Sequence, residues 1–510
     1  MSDERTLILS VGNERFDPQP FDERKLSVKF VTKEEVLDEK LGHFMSARAL
    51  IIAERDRDFA KITAHFQSLL PIAEQHGLAL VVFVSREDKN QVDVIKIKAV
   101  NEKRVGDTAV RIYLREEIKE AAEYIAREYA GPLQRRIPSI DSNDLKDLED
   151  PEEMKVLLQR AFFDCNRIRL ESLPGGKASK GVFIVHAWCD GANVGPRPLP
   201  FFIKFGKPEN IEKERVIYRT HVELYIPFNL RPNLDRRRCV RGSKYSALVG
   251  NFVEDATPLR KALRQGVGDG VLFALFETSL KTLRAQAFER HPSKQNAGLD
   301  AFVKNRAWCE AIGEVIHAKA KSYGLKSELE DLEKRLCAAA KNISHWWGPM
   351  HGDLHAGNIM VRRGDSILID FGSVVDGPIT ADSATLEVSL VFGTDDEDDP
   401  DNFDGWKAFV DSAYDCIPSI RPPKLTGEPT DFAWLRQAVR ELRHILFGCD
   451  CDDNEAAVVL AAYLLRFARL PVETFDDPKL NDLAVARHAY ALVVAERIVN
   501  EIPSLACVKV

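Results

Sequence analysis

The chain has 510 residues, 45% of them hydrophobic, and is therefore too long to pack around a single core. Its 71 lysines and arginines against 79 acidic residues give a formal charge of -8, which excludes an overall basic field for nucleic acid or anionic lipid. Nine cysteines without a C-x-x-C pair indicate reduced thiols. The opening Met1–Arg5 lacks the pattern of an export signal, and the apolar runs are far shorter than the roughly 20 residues of a membrane span. We therefore expect a cytoplasmic protein.

The first third of the chain alternates apolar segments with amphipathic ones. Five short apolar segments predict strands buried on both faces, as in a parallel sheet: Leu7–Val11, Leu26–Val31, Ala49–Ala53, Leu78–Val84 and Ala109–Leu114. Apolar residues at helical spacing between the third and fourth segments predict a helix there. Residues 1–131 are thus expected to form an α/β doubly wound, flavodoxin-like domain.

This N-terminal segment resembles a response-regulator receiver. A receiver carries acidic residues after its first strand, a phosphate-accepting Asp after the third, a Ser or Thr after the fourth and a Lys after the fifth. This chain has Glu14, Glu54, Ser85 and Arg115 at those places. Without the accepting Asp and the Lys, we expect a degenerate receiver-like domain that binds a partner and is not phosphorylated.

The chain beyond the receiver-like segment divides into three parts. Residues 132–150 contain two prolines and many polar or charged residues, which predicts a linker. Strand-like segments with glycine-rich turns follow, and helical patterns then dominate to the end. We expect a two-lobed α+β domain with a sheet-rich N-lobe at 151–256 and a helical C-lobe at 257–510.

The segment with most chemical content is HGDLHAGNIMV, residues 351–361, which is followed by Asp370-Phe371-Gly372. Phosphoryl transfer needs a carboxylate to orient the attacking hydroxyl and hard oxygen ligands to hold Mg²⁺. Asp353 suits the first role, and Asn358 and Asp370 suit the second. Two short apolar strands are predicted to hold these side chains on one side: Ile359–Val361 and Ile367–Ile369.

These motifs resemble the aminoglycoside phosphotransferase and choline kinase group of the protein-kinase-like superfamily, across residues 151–510. The family's catalytic loop, H-x-D-x-x-x-x-N, is matched at His351, Asp353 and Asn358, and its metal-binding D-x-G triplet at Asp370–Gly372. The H-G-D form is typical of members that phosphorylate small molecules. The resemblance implies a phosphotransferase with ATP and Mg²⁺ as cofactors.

The resemblance also assigns the nucleotide contacts. A glycine turn that contains Gly175, Gly176 and Ser179 would cover the phosphates, although a bare hairpin turn has the same appearance. Backbone groups of Asn251 and Val253, in the segment that joins the two lobes, would bracket the adenine.

A lysine and a glutamate complete the implied nucleotide site. Lys204, in the apolar strand Phe201–Phe205, would contact the α- and β-phosphates. Its expected partner is Glu214, because this residue shares an apolar face of the helix predicted over Ile211–Glu223. The alternative is that all acids of this helix are solvated.

Downstream of the metal triplet, the segment Gly377–Glu387 begins a helix. Asp382 matches the residue that braces the catalytic loop in this family. The region most resembles a kinase-like domain of bacterial conflict and signalling systems described as ternary-complex-associated. That resemblance implies a protein partner, such as a hydrolase or transferase, and residues 1–131 are the expected docking module.

An acidic segment lies in the predicted C-lobe. Seven of the ten residues from Asp395 to Asp404 are Asp or Glu. Such a segment either grips a cationic, polyamine-like substrate or forms a solvated surface loop, and we expect the latter.

The sequence thus predicts an ATP- and Mg²⁺-dependent phosphotransferase that acts on a hydroxyl of a small molecule in a bacterial signalling or conflict system. One alternative is a catalytically weak nucleotide-binding scaffold that docks partners through the receiver-like domain. Another is a protein kinase or an adenylating enzyme. Neither a membrane nor nucleic acid is an expected partner, and the sequence does not identify the acceptor.

Overall fold

The computed structural model describes the following parts of the chain: residues 5–38, 44, 47–54, 59–86, 110–127, 138–141, 149–172, 181–189, 199–267, 270–291, 293–307, 311–341, 343–415, 432–447 and 451–506. The chain folds into two compact units. The first comprises Met1–Lys213 and Asn233–Phe252, and the second comprises Glu214–Pro232 and Val253–Val510. The predicted boundaries of domains, linker and lobes stay a prediction.

The first unit begins with a parallel five-stranded sheet in the order β2-β1-β3-β4-β5. The strands are β1 (Leu7–Val11), β2 (Ser27–Val31), β3 (Ala47–Ala53), β4 (Ala79–Val84) and β5 (Val110–Leu114). The accompanying helices are α1 (Gln19–Asp22), α2 (Lys33–Asp38), α3 (Phe59–His76) and α4 (Ile118–Arg127).

Strands β3 and β4 are buried along their whole length because helices cover both faces of this sheet. Helix α3 packs on the face that carries Leu50 and Leu80, and α1 and α4 pack on the face that carries Ile51 and Val81. The strand order is that of a flavodoxin-like doubly wound fold. The five predicted strands are therefore confirmed, and the narrower likeness to a receiver stays a prediction.

A six-stranded sheet follows in the same unit, in the order β10-β11-β9-β8-β7-β6. Its strands are β6 (Ser139–Asp141), β7 (Cys165–Ser172), β8 (Val182–Cys189), β9 (Leu199–Gly206), β10 (Val240–Arg241) and β11 (Ser246–Asn251). Strand β6 pairs parallel to β7, and the other neighbours are antiparallel. Strand β6 lies within the segment predicted as a linker.

Helix α5 (Pro151–Ala161) packs against this sheet and is tied to its β10–β11 hairpin. The Asp150 side chain caps the helix by accepting from the backbone N–H of Glu153, and Pro151 fills the first turn. The Glu153 carboxylate in turn accepts from the backbone N–H of Lys244 at 2.9 Å and of Tyr245 at 3.4 Å. Helix and hairpin are thereby held in one fixed arrangement.

The second unit is mostly helical. Its helices are α6 (Pro208–Ile217, which begins in the first unit), α7 (Glu223–Tyr225), α8 (Leu259–Arg264), α9 (Val271–Ala274), α10 (Lys281–Arg290), α11 (Leu299–Ala307), α12 (Glu314–Ser322), α13 (Leu329–Ala339), α14 (Ala381–Phe392), α15 (Phe403–Ala413), α16 (Ala433–Phe447), α17 (Asp453–Arg469) and α18 (Pro478–Ala506). Across the described ranges, no helix combines the length and the apolar content that a membrane crossing requires.

The second unit also contains two small antiparallel sheets, which flank its polar loops. One has the order β12-β14-β15 and the other pairs β13 with β16. Their strands are β12 (Thr257–Pro258), β13 (Trp347–Met350), β14 (Ile359–Arg362), β15 (Asp365–Leu368) and β16 (Val375–Pro378). Strands β14 and β15 confirm the two short strands predicted around the catalytic motif.

The helix predicted as one element over Ile211–Glu223 is interrupted. Helix α6 ends at Ile217, a π-helical turn spans Tyr218–Val222, and α7 follows. The wider turn accommodates the Tyr218 ring, which lies edge-on to Phe371 with ring centroids 5.7 Å apart. Such a turn has no signature in a helical apolar pattern, so the sequence could not reveal it.

The acidic segment is partly neutralised by arginines from other helices. The side chain of Asp398 is only 5% exposed and pairs with Arg260, Arg264 and Arg487 at 3.2, 2.6 and 2.8 Å. Asp395 also pairs with Arg264, at 2.6 Å. The expectation of a solvated loop is therefore wrong for these two carboxylates, whose charge is compensated within the protein.

Candidate active site

The segment His351–Asn358 forms a loop between β13 and β14 that ends in a 3-10 turn over its last three residues. The Nδ2 group of Asn358 donates to the backbone carbonyl of Asp353 at 2.9 Å. Because a carbonyl only accepts, the amide nitrogen must face it, and Oδ1 of Asn358 is turned away. The loop therefore places the Asp353 and Asn358 side chains in a fixed relation and presents an oxygen of Asn358.

Asp370 follows β15 and is joined to this loop through Ile369. The backbone N–H of Ile369 donates to the carbonyl of Asn358 at 3.0 Å. Asp370 has a φ of 56°, a left-handed conformation that costs a non-glycine residue about 1 kcal/mol or more. Strained residues of this kind concentrate at functional sites. All three residues predicted to act on phosphate and metal thus lie on two backbone segments that are hydrogen-bonded to each other.

His351 is buried and fixes the base of the loop. Its Nε2 lies 3.1 Å from the carbonyl of Ile369, so Nε2 carries the proton and donates. Burial lowers the pKa of His351 below its ordinary value of 6.5, which keeps the ring neutral. The ring also packs against Phe371 with centroids 5.2 Å apart. His351 therefore links the catalytic loop to the segment that carries Asp370.

Helix α14 braces the catalytic loop with two side chains. The Asp382 carboxylate accepts from the backbone N–H of His351 at 2.8 Å and of Gly352 at 3.0 Å, which confirms the predicted bracing role. The Ser389 hydroxyl accepts from the N–H of Ala356 at 3.0 Å. Sequence reasoning missed Ser389, and its one signal is that it follows Asp382 by seven residues, which places both on the same helix face.

Gly352 allows the loop to approach the segment after Asp370. Its φ is 80°, and a Cβ at this position would lie 2.1 Å from the carbonyl oxygen of Ser373. Both facts exclude a side chain. The glycine of the H-G-D motif is therefore required here by backbone contact.

Glu214 is the buried acid of its helix. Its exposed fraction is 8%, whereas Glu212 lies on the exposed side of α6. A Cβ built on Gly372 would lie 3.4 Å from Oε2 of Glu214 and 3.6 Å from Oδ1 of Asp370. Two carboxylates therefore lie beside Gly372.

The residues predicted to contact the nucleotide lie in different elements, and some of them fall outside the described residues. Lys204 is half-buried in β9 between Ile203 and Phe205, whose side chains enter the core on the opposite face. Asn251 ends β11, and its backbone N–H already donates to the carbonyl of Asn233 at 3.1 Å. The positions Gly175, Gly176 and Ser179 lie outside the described residues.

Val253 belongs to the second unit. It is buried with Leu230 and Ile367 in a small apolar cluster. The pairing of Lys204 with Glu214 and the adenine contacts of Asn251 and Val253 stay predictions.

The donor set fits Mg²⁺. In nucleotide sites this ion takes one or two protein oxygens and completes its shell with phosphates and water. Asn358 supplies an amide oxygen and Asp370 a carboxylate, both of which are hard ligands. Within the described ranges no three His, Cys, Asp or Glu side chains group as a dedicated metal cage.

Comparison with known families agrees with this geometry. Residues 323–496 match the family described as Ternary complex associated domain 9. The matched segment contains the catalytic loop, the Asp370 segment and helix α14, and it confirms the predicted resemblance to ternary-complex-associated domains. Together with the loop geometry, it supports a protein-kinase-like fold. Among curated proteins no sequence match was found.

Solved structures similar to this chain include several small-molecule kinases. An aminoglycoside phosphotransferase from Streptomyces rimosus, in complex with ADP and streptomycin, is 15% identical over 62% of this chain and 99% of its own, with a TM-score of 0.34. A choline kinase from Cryptosporidium parvum is 10% identical over 71% of this chain and 96% of its own, with a TM-score of 0.32. Likeness at this level carries no information on substrate.

Proposed function

We propose that the protein is an ATP- and Mg²⁺-dependent phosphotransferase that transfers the γ-phosphoryl group to a hydroxyl of a small molecule. One observation carries this proposal. Asn358 donates from its side chain to the Asp353 carbonyl and accepts on its own carbonyl from Ile369, the residue before Asp370. A carboxylate and two oxygen ligands are thereby held on one rigid loop pair, as phosphoryl transfer requires.

In this proposal Asp353 orients the acceptor hydroxyl and takes its proton. The new bond forms between the acceptor oxygen and the γ-phosphorus, and the bond from that phosphorus to the β,γ-bridging oxygen breaks, which leaves ADP. Asn358 and Asp370 would hold Mg²⁺, which when bound would neutralise charge on the phosphates. Asp382 and His351 keep the loop in place without touching the reacting atoms.

The proposed contacts to the nucleotide rest on the family resemblance. Lys204 takes the α- and β-phosphates and Glu214 positions it, and the burial of Glu214 beside Gly372 supports that choice among the acids of the helix. The resemblance to ternary-complex-associated domains implies a role in a bacterial signalling or conflict system. There, the doubly wound domain would dock a protein partner.

A transfer screen tests the proposed function. Wild type and Asp353→Asn are incubated with γ-phosphate-labelled Mg·ATP and a cell metabolite extract, and labelled small molecules are separated by mass. We expect Asp353→Asn to lose transfer by at least about a hundredfold while its affinity for ATP is kept. Asp370→Ala should instead weaken binding of Mg·ATP.

Asp365→Asn is the matched control, because Asp365 is an exposed carboxylate on the adjacent strand β15. Transfer by Asp353→Asn at the wild-type rate would refute the assignment of Asp353. Label that appears only on protein would identify a protein kinase, and gain of a nucleotidyl mass would identify an adenylating enzyme.

A further inference from the structure

His355 is a polar residue of the catalytic loop to which the proposed mechanism gives no role. Its Nδ1 accepts from the backbone N–H of Gly357 at 3.1 Å and so caps the 3-10 turn. An imidazole nitrogen that accepts a hydrogen bond carries no proton, so the proton of neutral His355 lies on Nε2. The turn therefore fixes the tautomer of this ring.

The protonated nitrogen faces the catalytic carboxylate. Nε2 of His355 lies 3.9 Å from Oδ2 of Asp353. The backbone N–H of His355 also donates to the carbonyl of Asp353 at 2.9 Å, so the two residues are tied at short range. The side chains are 44% and 43% exposed, which places both on the open side of the loop. This distance is longer than a hydrogen bond, and catalytic contacts in unliganded enzymes often shorten to hydrogen-bond length only when substrate binds.

We propose that His355 is the positioning residue of Asp353. Its Nε2–H orients Oδ2 of the carboxylate, which leaves Oδ1 for the acceptor hydroxyl. The terminal torsion of an aspartate side chain is broad, so a carboxylate without such a donor samples unproductive orientations. This inference rests on the proposed function, because it gives His355 a role only in the step that Asp353 performs.

Two substitutions distinguish the two functions of His355, which are the Nδ1 acceptor that caps the 3-10 turn and the Nε2 donor that lies near Asp353. His355→Asn keeps an acceptor near the position of Nδ1 and so retains the bond from Gly357, but it has no group that reaches Asp353. His355→Gln keeps an N–H donor near the position of Nε2 and loses the cap. Both are measured by phosphate release from Mg·ATP with water as acceptor, beside Asp353→Asn, and by thermal melting.

We expect His355→Asn to lower kcat about tenfold to a hundredfold, the rate equivalent of one hydrogen bond to a charged group, with an unchanged KM for Mg·ATP. His355→Gln should keep a kcat close to that of wild type although it melts at a lower temperature. A kcat for His355→Asn equal to or above that of His355→Gln overturns the inference.

The same assay separates failure of this inference from failure of the proposed function. If Asp353→Asn is inactive and both His355 variants match wild type, only the role of His355 is refuted. If Asp353→Asn releases phosphate as fast as wild type, the proposed role of Asp353 and with it the proposed function fail, and this inference falls with them.

Discussion

Ser389 and Ala356 are joined by a hydrogen bond of 3.0 Å, from the Ala356 N–H to the Ser389 hydroxyl, that links helix α14 to the catalytic loop. The backbone carbonyl of Ser389 lies 3.4 Å from Nη1 of Arg260, one of the arginines that neutralise Asp398. The acidic segment is therefore connected to the catalytic loop through one serine. Its arginine pairs stabilise the surroundings of the loop and compensate the charge of Asp395 and Asp398.

Replacement of Ser389 by alanine should remove this link. The loss of one hydrogen bond costs about 1 kcal/mol, so we expect a small decrease in the free energy of unfolding and a decrease in turnover of up to about fivefold. The measurements are urea denaturation and phosphate release. Thr385→Ala is the control, because the Thr385 hydroxyl donates within the same helix to the carbonyl of Ala381 and does not contact the loop. Equal effects of the two substitutions would show that Ser389 has no special connection to catalysis.

Gly352→Ala should destabilise the protein more than Gly364→Ala. Both glycines have positive φ, 80° and 88°, so both substitutions carry the left-handed cost of about 1–2 kcal/mol. Only Gly352 faces the carbonyl of Ser373, at 2.1 Å from a built Cβ, whereas no atom lies within 4 Å at Gly364. Thermal melting and turnover of the two variants therefore isolate the backbone contact. Similar losses in both would contradict the claim that the H-G-D glycine is required by packing.

The sequence predicts the strands and loops whose residues form a local pattern. It does not reveal contacts between side chains that are far apart in the chain. The predicted runs Ala49–Ala53 and Leu78–Val84, which correspond to β3 and β4, are apolar throughout, and the spacing from Asp353 to Asn358 marks this loop as the candidate site. Nothing near Asp398 in the sequence indicates that Arg260 neutralises it, because the pair is separated by 138 positions. Ser389 likewise looks like an ordinary helix residue until the loop packs against it.

The stability of the protein should carry a pH dependence from Glu455. This residue is fully buried, and its carboxylate accepts from the hydroxyl of Thr380 at 2.9 Å. Burial raises the pKa of Glu455 to about 8 from an ordinary value of 4.5. Between these two values the folded state holds a proton that the unfolded state has released. The contribution to stability is thus fully present below pH 4.5 and is lost as the pH rises through 8.

Glu455→Gln should remove this dependence, because its amide keeps the bond to Thr380 and does not titrate. The free energy of unfolding of wild type, measured by urea denaturation from pH 5 to 8.5, should fall relative to that of the variant as the pH rises, by at most about 1.4 kcal/mol per pH unit. The buried His351 has a lowered pKa and acts with the opposite sign, but it is common to both proteins and cancels in the difference. Parallel curves for the two proteins would contradict the raised pKa.

Arg160 forms hydrogen bonds to both the doubly wound domain and the six-stranded sheet. We expect Arg160→Ala to weaken the connection between these two parts of the first unit. Its guanidinium lies against the carbonyls of Gln75, at the end of α3, and of Arg241, in β10. The two carbonyls are partly buried, and the loss of a hydrogen bond to a charged group costs about 1.5–3 kcal/mol, so Arg160→Ala should lower the free energy of unfolding by about 2 kcal/mol. Arg167→Ala is the control, because Arg167 pairs with Asp141 on the surface, where an ion pair is worth at most about 1 kcal/mol.

Hydrogen exchange distinguishes a local connection from general destabilisation by Arg160→Ala. Amides in the last turn of α3 and in the β10–β11 hairpin should exchange faster in this variant, because the carbonyls of Gln75 and Arg241 lose a hydrogen-bond donor there. Amides in the second unit should exchange as in wild type, since no described hydrogen bond or ion pair of Arg160 reaches that unit. Uniformly faster exchange across both units would instead show that Arg160 supports global stability and does not specifically hold the doubly wound domain against the sheet.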